Sequence, residues 1–98
     1  MATFVMLSKL SLRYPGEIKS LAELDKILKE HLDAEYPDVK RLSSYVLLGK
    51  YDFLHIFEAP DATSAAKIAL LLHSLGMGST ETLTAIPFQE FRNLMEEE

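Results

Sequence analysis

The sequence predicts an α+β fold in which four strands form one antiparallel sheet and two helices cover one of its faces. Apolar side chains recur at helical spacing in two separate segments of the 98-residue chain. Segments rich in β-branched and aromatic residues flank those helices and alternate with period two. Proline and glycine residues stand at the junctions, where turns are expected. The predicted order is strand, helix, strand, strand, helix, strand, followed by a short C-terminal helix.

The first strand and first helix are predicted on either side of a turn. Strand formers predict the strand over residues 3–10, and Tyr-Pro-Gly at residues 14–16 predicts the turn. Ser20 and Glu23 have the spacing of a capping box, and the helix must end before Pro37. One face of this helix is apolar, through Leu21, Leu24, Ile27, Leu28 and Leu32.

The next two strands are predicted to form a hairpin. Residues 43–48 and residues 51–57 both have strand composition, and Gly49-Lys50 between them predicts a reversal in which glycine takes a positive φ. Asp52 is expected to support this turn by accepting backbone N–H groups. Pro60 ends the second strand of the pair.

The second helix, the fourth strand and the tail complete the order. Asp61 is the predicted N-cap of a helix over residues 64–75, and Gly76 supplies the left-handed residue that closes it. Residues 79–86 alternate again, and Pro87 opens a tail helix. This tail helix has one apolar side, through Phe88, Phe91, Leu94 and Met95.

This order predicts the ferredoxin-like βαββαβ arrangement, since right-handed crossovers place both helices on the same side of the sheet. Alternation then divides the strand residues into two sets. The aliphatic set is predicted to pack beneath the helices: Val5, Leu7, Val46, Leu48, Leu54, Ile56, Leu83 and Ala85. The set predicted on the uncovered side holds most of the aromatic residues: Phe4, Met6, Ser8, Ser43, Tyr45, Leu47, Tyr51, Phe53, His55, Phe57, Thr80, Thr82 and Thr84. An apolar patch of that size usually marks an interface or a ligand groove, so we expect a second copy of the chain to cover it.

Composition limits the classes of function. Apolar residues make up 48% of the chain and charged residues 26%, so residues 1–98 are expected to form a single globular domain. The chain has no cysteine, which excludes disulfides, a thiolate zinc site and a Cys nucleophile. A net charge of −5 disfavours binding to nucleic acid or to an anionic membrane. The sequence shows no membrane-spanning run and no signal peptide, so a cytoplasmic location is expected.

Short motifs in the second half of the chain carry a family resemblance. They are Gly-Lys-Tyr-Asp at 49–52, Ile-Phe-Glu-Ala-Pro-Asp at 56–61, Ala-Ala-Lys-Ile-Ala at 65–69, Ser-Leu-Gly at 74–76 and Thr-Glu-Thr-Leu at 80–83. Through these motifs the sequence resembles the GYD-domain family over residues 45–91. The resemblance implies a dimeric α+β barrel, in which two ferredoxin-like sheets close face to face, and no defined activity. Related barrels include cofactor-independent monooxygenases, small-molecule isomerases and oligomers without a known ligand, and fold alone does not choose among them.

His55 is the candidate catalytic residue, because a His in an apolar cavity can act as a base near neutral pH. The alternative is a structural His that hydrogen-bonds to a Ser or Thr across the interface. The candidate ligand-binding residues surround it on the predicted uncovered side: Phe4, Met6, Tyr45, Tyr51, Phe53 and Thr82. No pair of His and acidic residues has the spacing of a metal motif, so neither a metal nor another cofactor is expected.

The leading hypothesis is a homo-oligomeric module that binds a small apolar or aromatic molecule between two sheets. The alternative is a cofactor-independent monooxygenase or isomerase acting on such a molecule, which requires a cavity of roughly 300 Å³ or more at His55. RNA recognition shares this topology, but Gly49-Lys50 stands in the reverse of the required order and Asp52 would repel phosphate. The expected partners are therefore a second copy and a small-molecule ligand, with no nucleic acid and no membrane.

Overall fold

Four antiparallel strands and three helices make up the fold, in a computed structural model that describes residues 1–10 and 21–96. The elements are β1 (Ala2–Leu10), α1 (Leu21–Glu35), β2 (Lys40–Val46), β3 (Phe53–Ala59), α2 (Ala62–Ser74), β4 (Met77–Ala85) and α3 (Phe88–Glu96). The strands form one sheet in the order β2-β3-β1-β4. The predicted α+β, ferredoxin-like order with a C-terminal helix is confirmed.

The register places β1 at the centre of the sheet. Phe4 lies opposite Phe57 on β3 and Thr84 on β4, and Met6 lies opposite His55 and Thr82 in the same way. Directly opposed residues on neighbouring strands point to the same side of a sheet. These residues therefore share one face.

The prediction for the two faces of the sheet is wrong. Phe4, Met6 and Phe57 are at most 3% exposed, and they belong to one core with the helix residues Leu28, Leu32, Ala65, Ile68 and Leu72. The helices therefore cover the side that carries these large side chains, and the aliphatic residues of β1, β3 and β4 lie on the opposite side, whereas Val46 of β2 pairs with Phe53 on the helix-covered side. Period-two alternation separates two sets but does not say which faces the helices. Both sets contain several large apolar side chains, so the presence of such side chains could not decide between them.

The hairpin turn is longer than predicted. β2 ends at Val46 and β3 begins at Phe53, whereas strands were predicted over residues 43–48 and 51–57. The turn is held by backbone hydrogen bonds, in which the Leu47 N–H donates to the Asp52 carbonyl and the Asp52 N–H donates to the Ser8 carbonyl. Residues 51 and 52 are therefore part of the turn. Gly49 is part of it too and has a positive φ of 151°.

Local signals at the helix ends are confirmed where the structure describes them. The Asp61 side chain accepts the Ser64 N–H at 2.8 Å and caps α2. Gly76 follows α2 with a φ of 104°. The predicted capping box of α1 begins at Ser20, which lies outside the described residues. Among the helices described, none combines the length and the apolar character needed to cross a membrane.

Candidate functional site

The side of the sheet opposite α1 and α2 is aliphatic, and we call it the open face. Its central residues, from β1 and β3, are Val5, Leu7, Leu54 and Ile56. They are half-buried, and the neighbouring side chains Tyr45 and Leu83 are 56% and 45% exposed. Leu83 pairs with Val5 and Tyr45 pairs with Leu54, so the apolar surface extends to both edge strands.

α3 does not cover the open face, because none of its residues is buried. Its apolar stripe consists of Phe88, Phe91, Leu94 and Met95, all of which are exposed large hydrophobic side chains. A cleft of about 460 Å³ separates α3 from the adjoining ends of β1 and β4. Ile86, which lies in the sequence between Leu83 and α3, is exposed as well.

Tyr51 spans part of the open face. Its hydroxyl donates a 2.5 Å hydrogen bond to the Glu81 carboxylate on β4. This bond and the negative charge of Glu81 raise the pKa of Tyr51, since both oppose loss of the phenolic proton. Glu81 lies opposite Leu7. Tyr51 therefore fixes a polar boundary at one end of the aliphatic surface.

His55 lies on the helix-covered side, where a chain of polar side chains connects it to α1. Its Nδ1 is 2.8 Å from the Ser44 Oγ, and Ser44 accepts the Arg41 Nε–H at 2.9 Å. Arg41 Nη2 in turn lies 2.5 Å from the Asp25 carboxylate. We call these four residues the His55 network. It ties α1 to the edge strand β2 and the inner strand β3.

Burial lowers the pKa of His55, and the positive charge of Arg41 lowers it further, against a smaller opposing effect of Asp25. The imidazole is therefore neutral at pH 7. The Phe53 ring stacks beside it, with 6.4 Å between ring centroids. A cavity of about 70 Å³ adjoins both rings. That volume is far below the roughly 300 Å³ of a typical small-molecule pocket.

The structure divides the predicted site residues between the two sides of the sheet. Phe4, Met6, Phe53 and Thr82 lie on the helix-covered side with His55, whereas Tyr45 and the Tyr51 hydroxyl lie on the open side. Phe4 and Met6 are core residues. The predicted residues therefore do not form one group between two sheets, and binding of a ligand by any of them stays a prediction.

Sequence reasoning missed three members of the His55 network, namely Asp25 on α1 and two residues on β2. Ser44 and Arg41 come from β2, whose register shifts between Arg41 and Ser43. The shift brings both side chains to the helix-covered side, three positions apart, which plain alternation does not allow. The polar residues of β2, which lies next to the strand that carries His55, were the signal from which hydrogen-bond partners of His55 could have been inferred. The expected role of Asp52 is confirmed, since its carboxylate accepts the Leu10 N–H at 2.8 Å.

Comparison with known proteins identifies the family and relatives of the chain. Residues 4–95 match the family model described as GYD domain. The chain is 36% identical over 87 residues to a protein of Thermus thermophilus named glutamine synthetase and cystathionine beta-lyase binding protein, and the match covers 89% of this chain and 90% of that protein.

Solved structures share the fold at lower identity. A crystal structure of a Thermus thermophilus protein has a TM-score of 0.60 at 20% identity, over 89% of this chain and 95% of that one. A hypothetical protein of Pyrococcus horikoshii has a TM-score of 0.54 at 20% identity, over 89% of this chain and 92% of that one. These structures show a common fold, and the family match over nearly the whole chain shows that this protein is a member of the GYD domain family.

Proposed function

We propose that this GYD domain is a self-assembling module that binds other proteins, and that two copies first pack open face against open face. The observation that carries the proposal is the aliphatic open face, which no helix covers in the described part of the chain. The apolar composition of this face is typical of a surface buried in an interface and not of a sheet face in contact with water.

Packing two open faces together removes that apolar surface from water. Full burial of a Leu or Ile side chain contributes roughly 1.5–3 kcal/mol, and the central residues Leu54 and Ile56 are already partly ordered by their strands. A two-fold axis brings the same residues of both copies together and leaves no apolar sheet surface outside. A stable interface needs about 800 Å² from each partner. The exposed apolar stripe of α3 offers area in addition to that of the sheet.

The relative at 36% identity supports a protein-binding role, because its name describes a protein that binds glutamine synthetase and cystathionine beta-lyase. The site geometry favours binding over catalysis. The cavity at His55 is about 70 Å³, which leaves no room for the aromatic substrate of the enzyme hypothesis.

Sedimentation equilibrium tests the assembly. We expect the wild-type protein to have at least twice the 11.1 kDa mass of one chain at micromolar concentration. Ile56→Glu places a carboxylate in the open face and should weaken association at least 100-fold. The matched control is Leu70→Glu, because Leu70 is an exposed apolar residue on α2, on the other side of the molecule. A wild-type mass of 11.1 kDa, or equal dissociation by both variants, would contradict the proposal.

Calorimetric titration with glutamine synthetase from the same host tests the protein-binding part. We expect saturable binding by the wild-type assembly and by Leu70→Glu. An assembled protein that binds neither glutamine synthetase nor cystathionine beta-lyase would show that this activity of the relative does not extend to this chain. The two measurements therefore separate failure of assembly from failure of partner binding.

A further inference from the structure

A second site lies beneath α1, apart from the open face. The 70 Å³ cavity between the sheet and the two packed helices has mostly apolar walls, including Leu28, Phe53 and Leu72, and its polar lining residues are His55 and Asp25. A smaller void of about 20 Å³ shares Leu28, His55 and Leu72 with it. His55 thus stands between two imperfectly filled spaces whose walls are mostly apolar, with Asp25 lining the larger and Arg41 the smaller.

The hydrogen bonds of the His55 network favour one position of the imidazole proton. Arg41 donates to the Ser44 Oγ, so the hydroxyl proton of Ser44 is free to point to His55. In the opposite arrangement Ser44 would accept two hydrogen bonds, and its own proton would have no acceptor within the network. The network therefore favours Nδ1 as the acceptor, with the proton of the neutral ring on Nε2. This N–H is the donor that His55 can offer to a molecule in the cavity.

We propose that this cavity binds a short-chain neutral carbonyl compound, whose oxygen accepts the Nε2–H of His55. A cavity of about 150 Å³ holds benzene with its six heavy atoms, so one of about 70 Å³ fits a molecule of roughly three or four heavy atoms. The apolar walls disfavour a charged molecule, and the single donor requires an acceptor. The burial that keeps His55 neutral also preserves the tautomer that the site needs.

Titration with acetone, followed by NMR, tests the site. We expect saturable shifts of the Leu28 and Leu72 methyl groups and of the His55 Nε2–H, with a dissociation constant on the order of 1 mM for so small a ligand. His55→Phe keeps an aromatic ring but removes the donor, and should weaken acetone binding about tenfold. Xenon needs no hydrogen bond, so its binding should remain within twofold in the same variant.

His73→Phe is the matched control, since His73 lies exposed on α2 and contacts Thr80 instead of the cavity. It should bind acetone as the wild type does. The nitrogen shifts of His55 in the wild-type protein report its tautomer without any substitution. Absence of saturable acetone binding, equal binding by His55→Phe, or a proton on Nδ1 would each overturn the proposal.

Discussion

Gly76 shows how one residue fixes the junction between α2 and β4. Its φ of 104° is accessible to glycine and rarely to other residues, and a Cβ built there meets no atom within 4 Å. The cost of a side chain is therefore backbone strain without a clash. We expect Gly76→Ala to lower the free energy of unfolding by about 1–2 kcal/mol, as measured by urea denaturation.

Gly78 is the matched control for that substitution. It lies two residues further on, inside β4, and its φ is not positive. Alanine at position 78 should leave the stability unchanged or slightly higher, because the flexible glycine is lost from the unfolded chain. If both substitutions destabilised the protein equally, the positive φ of Gly76 would not be the reason for glycine at that position.

Features that depend on a few neighbouring residues could be predicted from the sequence. The positive φ of Gly49 and Gly76, the cap from Asp61 and the backbone contact of Asp52 all follow from local chemistry. The partner of His55 could not be predicted, because Ser44 reaches it only after a register shift in the neighbouring strand. Long-range pairing decides that contact, and the sequence carries no local signal for the shift.

At the scale of elements, the order of helices and strands could be predicted and the orientation of the sheet could not. β1 and β3 carry large apolar side chains on both of their sides, so either side could have faced the helices. The structure places Phe4, Met6 and Phe57 under the helices, and Phe4 and Phe57 stack there with 5.7 Å between ring centroids. These large side chains fill the space between helices and sheet, while the smaller aliphatic residues remain on the open face. Choosing between the two sides requires the volumes of the packed elements as well as the pattern of hydrophobicity.

The His55 network makes the attachment of α1 to β2 and β3 dependent on pH. Burial and Arg41 lower the pKa of His55 in the folded protein, below the value of 6.5 for an unperturbed His. Below that pH the unfolded chain takes up a proton that the folded chain resists. The free energy of unfolding should therefore be highest above about pH 6.5, and should fall with decreasing pH until the folded pKa is reached.

Urea denaturation between pH 8 and pH 5 measures this effect. His55→Phe removes the titrating group and should flatten the pH dependence over that range, whereas His73→Gln should retain the wild-type profile. Protonated His55 would also lie close to the Arg41 guanidinium, so the NMR signals of α1 and β2 should shift with the same midpoint. A wild-type stability that does not fall below pH 6.5 would contradict the assigned environment of His55.

At the scale of the whole molecule, the described chain extends 55 × 32 × 18 Å, which is long for its size. α3 adds length without burying any of its own residues. An amphipathic helix gains most of its stability by packing its apolar side, and this one has no such contact within the described chain. The composition and strand pattern predicted an uncovered apolar surface. The sequence alone did not show that the tail helix would leave that surface open.

Removal of α3 separates its role within one chain from its role between chains. In a protein ending at Ile86, we expect the free energy of unfolding of the dissociated Ile56→Glu variant to change by less than about 1 kcal/mol, since no buried residue is lost. In the otherwise wild-type chain, the same truncation should weaken self-association at least tenfold, because the apolar stripe no longer contributes area. Urea denaturation and sedimentation equilibrium measure the two effects. If the truncated Ile56→Glu chain unfolded, α3 would stabilise its own subunit, and if truncation left association unchanged, the interface would lie entirely within the open face.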